Sequence, residues 1–219
     1  MAIADISKLG QWLYSWMQPN GAIHGFHNHS VWGGNPYRFL DMTAGHSTFA
    51  SPMLPALALA LKAEPDSQGQ ALLETLIQFQ TTSFQEDGQF AHIGFQVGEI
   101  LKSGLIHNVV PDVSLCLTAR TGRAILDAST LKSIEAAVVR NLQACDRLHG
   151  DRPLVGREGK GGSCSNQDYC RLWARLLHME AFNHAEWDDL VRESLHFMID
   201  HFHISGVPDG ESCGSLRSA

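Results

Sequence analysis

Long apolar runs are missing from this chain of 219 residues. The longest, Met53 to Leu61, is about half of the ~20 residues that a membrane-crossing helix needs, and Pro55 interrupts it. Basic residues are also scarce. Lys and Arg together number 16 against 23 Asp and Glu, and the formal net charge is −7. With so few cations and no basic run, the electrostatic footprint of a nucleic-acid-binding protein is absent. Cysteine is sparse and unpatterned. Cys116, Cys145, Cys164, Cys170 and Cys213 are an odd number, contain no CxxC pair and match no zinc-ribbon spacing. They read as reduced thiols, not as a disulfide framework or a metal knot. Met1 to Trp16 has neither a basic start nor an uninterrupted apolar stretch, so no secretory leader is read there. Together these absences predict a soluble, cytoplasmic protein that meets neither nucleic acid nor membrane.

What is present is globular. Apolar residues make up 44% of the chain and charged residues 18%, a balance that builds a core and leaves no disorder signature. The length suits one domain, 1–219, with a sizeable interior.

The main positive signal is a repeat. An x-Gly turn closes an amphipathic segment four times, at Asn20-Gly21, Asp87-Gly88, His149-Gly150 and Asp209-Gly210. The period is about 60 to 67 residues, in the range of helical-hairpin arrays. Gly permits the left-handed backbone that ends a helix, so each turn is expected to mark a helix C-terminus. The preceding segments carry apolar residues at helical spacing. Ile6, Leu9, Leu13 and Trp16 form the first such face, and Leu72, Leu76, Phe79 and Phe84 the second. Leu131, Ile134, Val138, Leu142 and Cys145 form the third, and Leu190, Leu195, Met198 and Phe202 the fourth. These are the A helices. A B helix is expected after each of the first three turns, at 49–62, 111–120 and 166–182. Pro111 would sit in a first helical turn, where its missing N–H costs nothing. The B helices are richer in small and apolar residues and should form the more buried layer. Seven principal helices follow, with at most a short extra turn near Val97–Ser103 and little or no strand.

The connectors differ. B-to-A links at 63–68, 121–129 and 183–188 are short and plain. A-to-B links at 19–48, 87–110 and 149–165 are long and rich in Gly, His, Trp and Tyr. Long loops in a compact domain commonly carry function. In an array of hairpins all A-to-B loops leave from the same end, which would gather their polar residues at one mouth.

The hairpin period, the turn Phe84-Gln-Glu-Asp-Gly-Gln-Phe90 and two B-helix starts resemble the six-hairpin (α/α) toroid proteins. The starts are Pro111-Asp-Val-Ser-Leu-Cys-Leu-Thr-Ala-Arg-Thr-Gly122 and Ser165-Asn-Gln-Asp-Tyr-Cys-Arg-Leu-Trp-Ala174. That superfamily includes glycoside hydrolases, polysaccharide lyases and sugar epimerases. The likeness covers nearly the whole chain and is architectural. It implies a site at the N-terminal ends of the inner helices, with carboxylates there, and Asp112 and Asp168 match that position. About three and a half hairpins are present, roughly half of a closed ring by the repeat length. The chain reaches Ala219 where a fourth B helix would begin. The expectation is therefore an all-α, incomplete (α/α) toroid, truncated at the C-terminus, whose uncovered hairpin faces self-associate.

Each candidate residue has a plainer alternative. Asp112 and Asp168 can serve as general acid and base or as nucleophile in glycoside cleavage, or they can simply cap their helices. Asp168 is the stronger of the two, because Ser165 and Asn166 are available for capping and would leave it free. Trp32, Tyr37, Arg38 and Asp41 lie in a loop suited to sugars, where aromatic faces stack on rings and polar groups bind hydroxyls. Alternatively the aromatics there anchor the loop. His107 and Asn166 complete the substrate-binding set. His24, His27 and His29 offer three imidazoles in six residues, but the spacing matches no ligand signature, so solvated or hydrogen-bonded loop histidines are the plainer reading. Arg157-Glu-Gly-Lys160-Gly-Gly162 is not a P-loop; it reads as a flexible loop, with contact to an acidic sugar or phosphate as the weaker alternative. Cys164 would be reactive if it stood at a helix N-terminus, and otherwise is a structural thiol. No cofactor is called for. The expected function is a carbohydrate-active enzyme, with a carbohydrate or small polar ligand as partner. Two alternatives stand beside it: a helical-repeat binding module, and an inactive, truncated relic of a toroid glycosidase.

Overall fold

In a computed structural model, the residues described are 51–90, 96–97, 99–100, 105–151 and 165–200. They are predominantly helical. Six helices occur among them: α1 (Met53–Ala63), α2 (Ser67–Thr82), α3 (Leu105–Thr121), α4 (Ala128–His149), α5 (Ser165–Phe182) and α6 (Asp188–Asp200). The first expected A helix and any fourth B helix fall outside these residues. The segment read as a possible extra helical turn instead contributes two-residue strands, Gln96–Val97 and Glu99–Ile100, paired antiparallel.

Local chemistry accounts for the helix ends. α1 buries Leu54, Leu57, Ala58 and Leu61, a stripe at spacings of three and four. It stops at Glu64, which is extended and precedes Pro65; the proline ring disfavours helical backbone in the residue before it. After a three-residue link, the Asp66 carboxylate accepts from the Gly69 N–H at 2.6 Å and caps α2. A side chain at position 69 would strike Leu61 Cδ2 at 2.8 Å, so glycine there lets α2 approach the end of α1. Asp127 caps α4 in the same way, accepting from Thr130 N–H at 2.6 Å.

Two of the glycine turns are visible, and they differ. Gly150 directly follows α4 with φ +78°, as expected of a terminus. Gly88 does not end a helix. α2 stops at Thr82, and Gly88 (φ +94°) sits at the corner of a tight turn in which Phe84 and Phe90 pair across strands. Gln85 N–H donates to Gln89 O at 2.7 Å, and the Phe84 and Phe90 rings stack with centroids 5.3 Å apart. The guanidinium of Arg140, on α4, covers the Phe84 ring at 4.1 Å.

The second correction concerns α3. It begins at Leu105, so Pro111 lies inside the helix and not in its first turn. Proline supplies no N–H to the carbonyl four residues back and crowds that turn. The helix continues because its neighbours hold it. α3 is buried along almost its whole length, packing against α1, α4 and α5. Of the expected B helices this one is the clearest inner element. α2 and α4 also pack together, and each consecutive pair, α1 with α2, α3 with α4 and α5 with α6, is in contact. Among the described residues no helix is long and apolar enough to cross a membrane.

The core runs through all these elements, from Leu57 and Leu73 to Val109, Leu115, Ile134, Leu142, Leu177 and Trp187. Its dependence on α4 can be measured. Leu142 is fully buried whereas Leu148, later on the same helix, is 52% exposed. Leu142→Ala should cost roughly 2–5 kcal/mol in urea unfolding, and Leu148→Ala no more than about 0.5 kcal/mol. Equal costs would mean that α4 is not seated as described.

Candidate functional site

A buried polar junction forms where α3, α4 and α5 meet. On α4 the apolar stripe Ile134, Val138, Leu142, Cys145 is interrupted by one amide, Asn141, which is fully buried. A buried amide must pair its donors and its acceptor. Asn141 does both. Its Oδ1 accepts from Phe90 N–H at 3.1 Å, and its Nδ2 donates to Asn108 O at 3.1 Å and to Asp112 Oδ2 at 2.7 Å. One side chain thus joins the 84–90 turn, α3 and α4. The Asn108 carbonyl lies next to the one that Pro111 deprives of its helical donor, in a turn that a neighbouring helix is well placed to support. The Asn108 amide in turn donates to Gln89 Oε1 at 3.2 Å.

Asp112 is fully buried, and its second oxygen, Oδ1, has no hydrogen-bond partner among the described residues. Burial pushes its pKa well above the ordinary carboxylate range. The Asn141 hydrogen bond opposes that shift, and the charge of Asp146 adds to it. The same burial raises the thiols of Cys116 and Cys145, with the charge of Asp112 contributing.

Beside this lies a charge network. On α5, Asp168, Arg171, Arg175 and His178 fall at helical spacing on one buried face. Arg171 pairs with Asp168 (Nη2–Oδ1 3.4 Å) and with Asp146 of α4 (Nη1–Oδ1 3.5 Å). Arg175 donates to the same Asp146 oxygen at 2.5 Å. Both guanidiniums also hold the chain just past α4: Arg171 donates to Gly150 O, and Arg175 to Asp151 O at 3.1 Å. Burial raises Asp146, and the two arginines pull it back. At the far end of the stripe, His178 Nδ1 accepts from Trp187 Nε1 at 3.2 Å, and burial lowers this histidine. Two carboxylates, Asp146 and Asp168, thus meet two guanidiniums, and their formal charges balance.

The two sequence-derived catalytic candidates thus stand on adjacent, packed helices, though neither is placed as expected. Asp112 lies mid-helix, because α3 starts earlier, so it is not a cap. Asp168 does lie in the first turn of α5, but it is not left free; it is buried and paired with Arg171. His107 belongs to the first turn of α3, not to a loop, and Asn166 to the first turn of α5; their side chains lie outside the described residues. So do Trp32, Tyr37, Arg38, Asp41, His24, His27, His29 and Cys164, together with the Arg157–Gly162 loop. Among the described residues no group of three metal-ligating side chains is assembled. Asn108, Asn141, Asp146, Arg171 and Arg175 were not singled out from the sequence. The signal was there in part: Asn141 breaks an apolar stripe, and Asp168, Arg171, Arg175 and His178 repeat at helical spacing.

Comparison with protein-family models, with curated proteins and with solved structures gives no match.

The raised Asp112 has a direct consequence for stability. Its native state holds a proton more tightly than the unfolded chain does. The associated stability is complete below the unfolded carboxylate pKa of about 3.9. It is lost as pH rises toward the higher folded value. Asp112→Asn removes this dependence. The variant should gain on the wild type as pH rises above about 4, by at most ~1.4 kcal/mol per pH unit. Parallel pH–stability curves in urea unfolding would show that Asp112 ionises normally.

Proposed function

We propose that this chain is a carbohydrate-active protein of the helical-hairpin, incomplete (α/α) toroid kind. In this reading Asp112 is the proton donor, and Asp168 is the ionised carboxylate that accompanies it. The observation that carries it is the contrast between the two environments. Asp112 is buried among amides and thiols with one oxygen unpartnered, whereas Asp168 is paired with a guanidinium. Two carboxyls whose surroundings favour opposite protonation states make the usual acid and base pair of glycoside cleavage. The helix packing supports the hairpin part: α1, α3 and α5 touch in succession, as α2 and α4 do.

The test is a panel of neutral and acidic oligosaccharides, assayed for reducing ends, for unsaturated products and for binding by calorimetry. Asp112→Asn and Asp168→Asn should each lower turnover at least ~100-fold, the scale of general acid–base catalysis, while binding persists. Binding without turnover in the wild type would move the assignment to a hairpin-repeat binding module. No binding at all would leave the relic.

A second reading of the same architecture concerns assembly. Tyr169, Trp173 and Leu176 form a partly exposed stripe on α5, and such surfaces commonly mark interfaces. Self-association through this hairpin is expected to appear as concentration-dependent mass in light scattering. Trp173→Glu should abolish it, and a monomer at high concentration would remove the idea.

A further inference from the structure

The junction contains a residue that decides where the Asp112 proton sits. We propose that Asn141 is the positioning residue of Asp112: by donating to Oδ2 it fixes the acid proton on Oδ1. This rests on the reading of Asp112 as proton donor and adds to it the atom that carries the proton.

The argument is one of donors and acceptors. Asn141 Nδ2 carries two hydrogens, and both are engaged, one by Asn108 O and one by Asp112 Oδ2. Its Oδ1 is engaged by Phe90 N–H, from a different segment. The amide orientation is therefore fixed from two sides. A flipped amide would face Phe90 N–H with a donor and would present an acceptor to Asn108 O. An oxygen that accepts a hydrogen bond at 2.7 Å is the carbonyl-like oxygen of a neutral carboxyl. The hydroxyl then belongs on the other oxygen, Oδ1, which no group among the described residues engages. The proton then leaves from Oδ1 while the hydrogen bond from Asn141 to Oδ2 stays in place. Asn141 touches neither a substrate nor a reacting atom; it acts through Asp112.

Asn141 also braces α3 and α4, so loss of stability in a variant would not separate positioning from bracing. The titration of Asp112 does. Carboxyl carbons are labelled with 13C, the Asp112 resonance is identified by its loss in Asp112→Asn, and its midpoint is followed with pH. In Asn141→Leu the charged form of Asp112 loses a hydrogen bond that favours it, so the midpoint should rise by about one unit or more. The nearly isosteric Asn141→Asp keeps an acceptor for Phe90 N–H. It should turn the titration into two coupled steps, as two carboxyls sharing a site do, and it carries the test if the leucine variant does not fold. A single Asp112 midpoint, unmoved or lowered, in the folded variant overturns the proposal. No saccharide enters this measurement. Turnover lost in Asp112→Asn with an unmoved midpoint in Asn141→Leu would sink the positioning role and keep the function. A raised midpoint with no saccharide activity would do the reverse.

Discussion

One carboxylate, that of Asp146, keeps two guanidiniums inside the protein. Arg171 and Arg175 stand one turn apart on α5, both almost wholly buried, and the charge of Arg175 disfavours that of Arg171. Burying two like charges is costly unless an opposite charge and hydrogen bonds meet them. Asp146 supplies the charge from α4, Asp168 supplies another from α5, and the carbonyls of Gly150 and Asp151 take further donors. The seat of α5 on the rest of the molecule, the path of the chain leaving α4 and the surroundings of Asp168 all depend on that arrangement. The charge of Asp146 also opposes ionisation of Asp112, a second cause beside desolvation for its raised pKa.

The polar junction and the charge network divide the labour. Asp112 accepts from a neutral amide, and burial together with the charge of Asp146 raises the cost of a negative charge there. Asp168 and Asp146 each meet a guanidinium. Adjacent helices therefore offer two carboxyl environments of opposite character within one interior, a division that the sequence of a single helix does not display.

How much of this could be read in advance follows from what periodicity reports. Apolar stripes mark helices, and those of α2, α4 and α6 identified their elements; short links were expected at 63–68, 121–129 and 183–188, and the structure has them at 64–66, 122–127 and 183–187. Proline and glycine were read by their commonest roles, and there the structure differs. Pro111 is tolerated mid-helix because α1, α4 and α5 enclose α3, and Gly88 shapes a hairpin corner rather than a helix end. Both are tertiary outcomes that no local propensity contains. The candidate site was partly legible. Asp112 and Asp168 were found as acidic residues in matching segments, but their partners are long-range. Asn141 is 29 residues from Asp112 and Asp146 is 29 from Arg175, and a single sequence carries no sign of those pairings.

Helix α5 buries polar groups together with apolar ones: Asp168, Arg171, Arg175 and His178 lie inside beside Leu172 and Leu177, while Tyr169, Trp173 and Leu176 are partly exposed. Rolling the helix to hide those three would gain roughly 1.5–3 kcal/mol for each large apolar side chain, and it would lose the burial of Leu172 and Leu177 and the ionic contacts to α4. The rotational setting of this helix is thus a contest between two forces of different range and different salt dependence. The hydrophobic side strengthens with kosmotropic salts such as sulfate, and the ionic side weakens wherever water and counterions reach it.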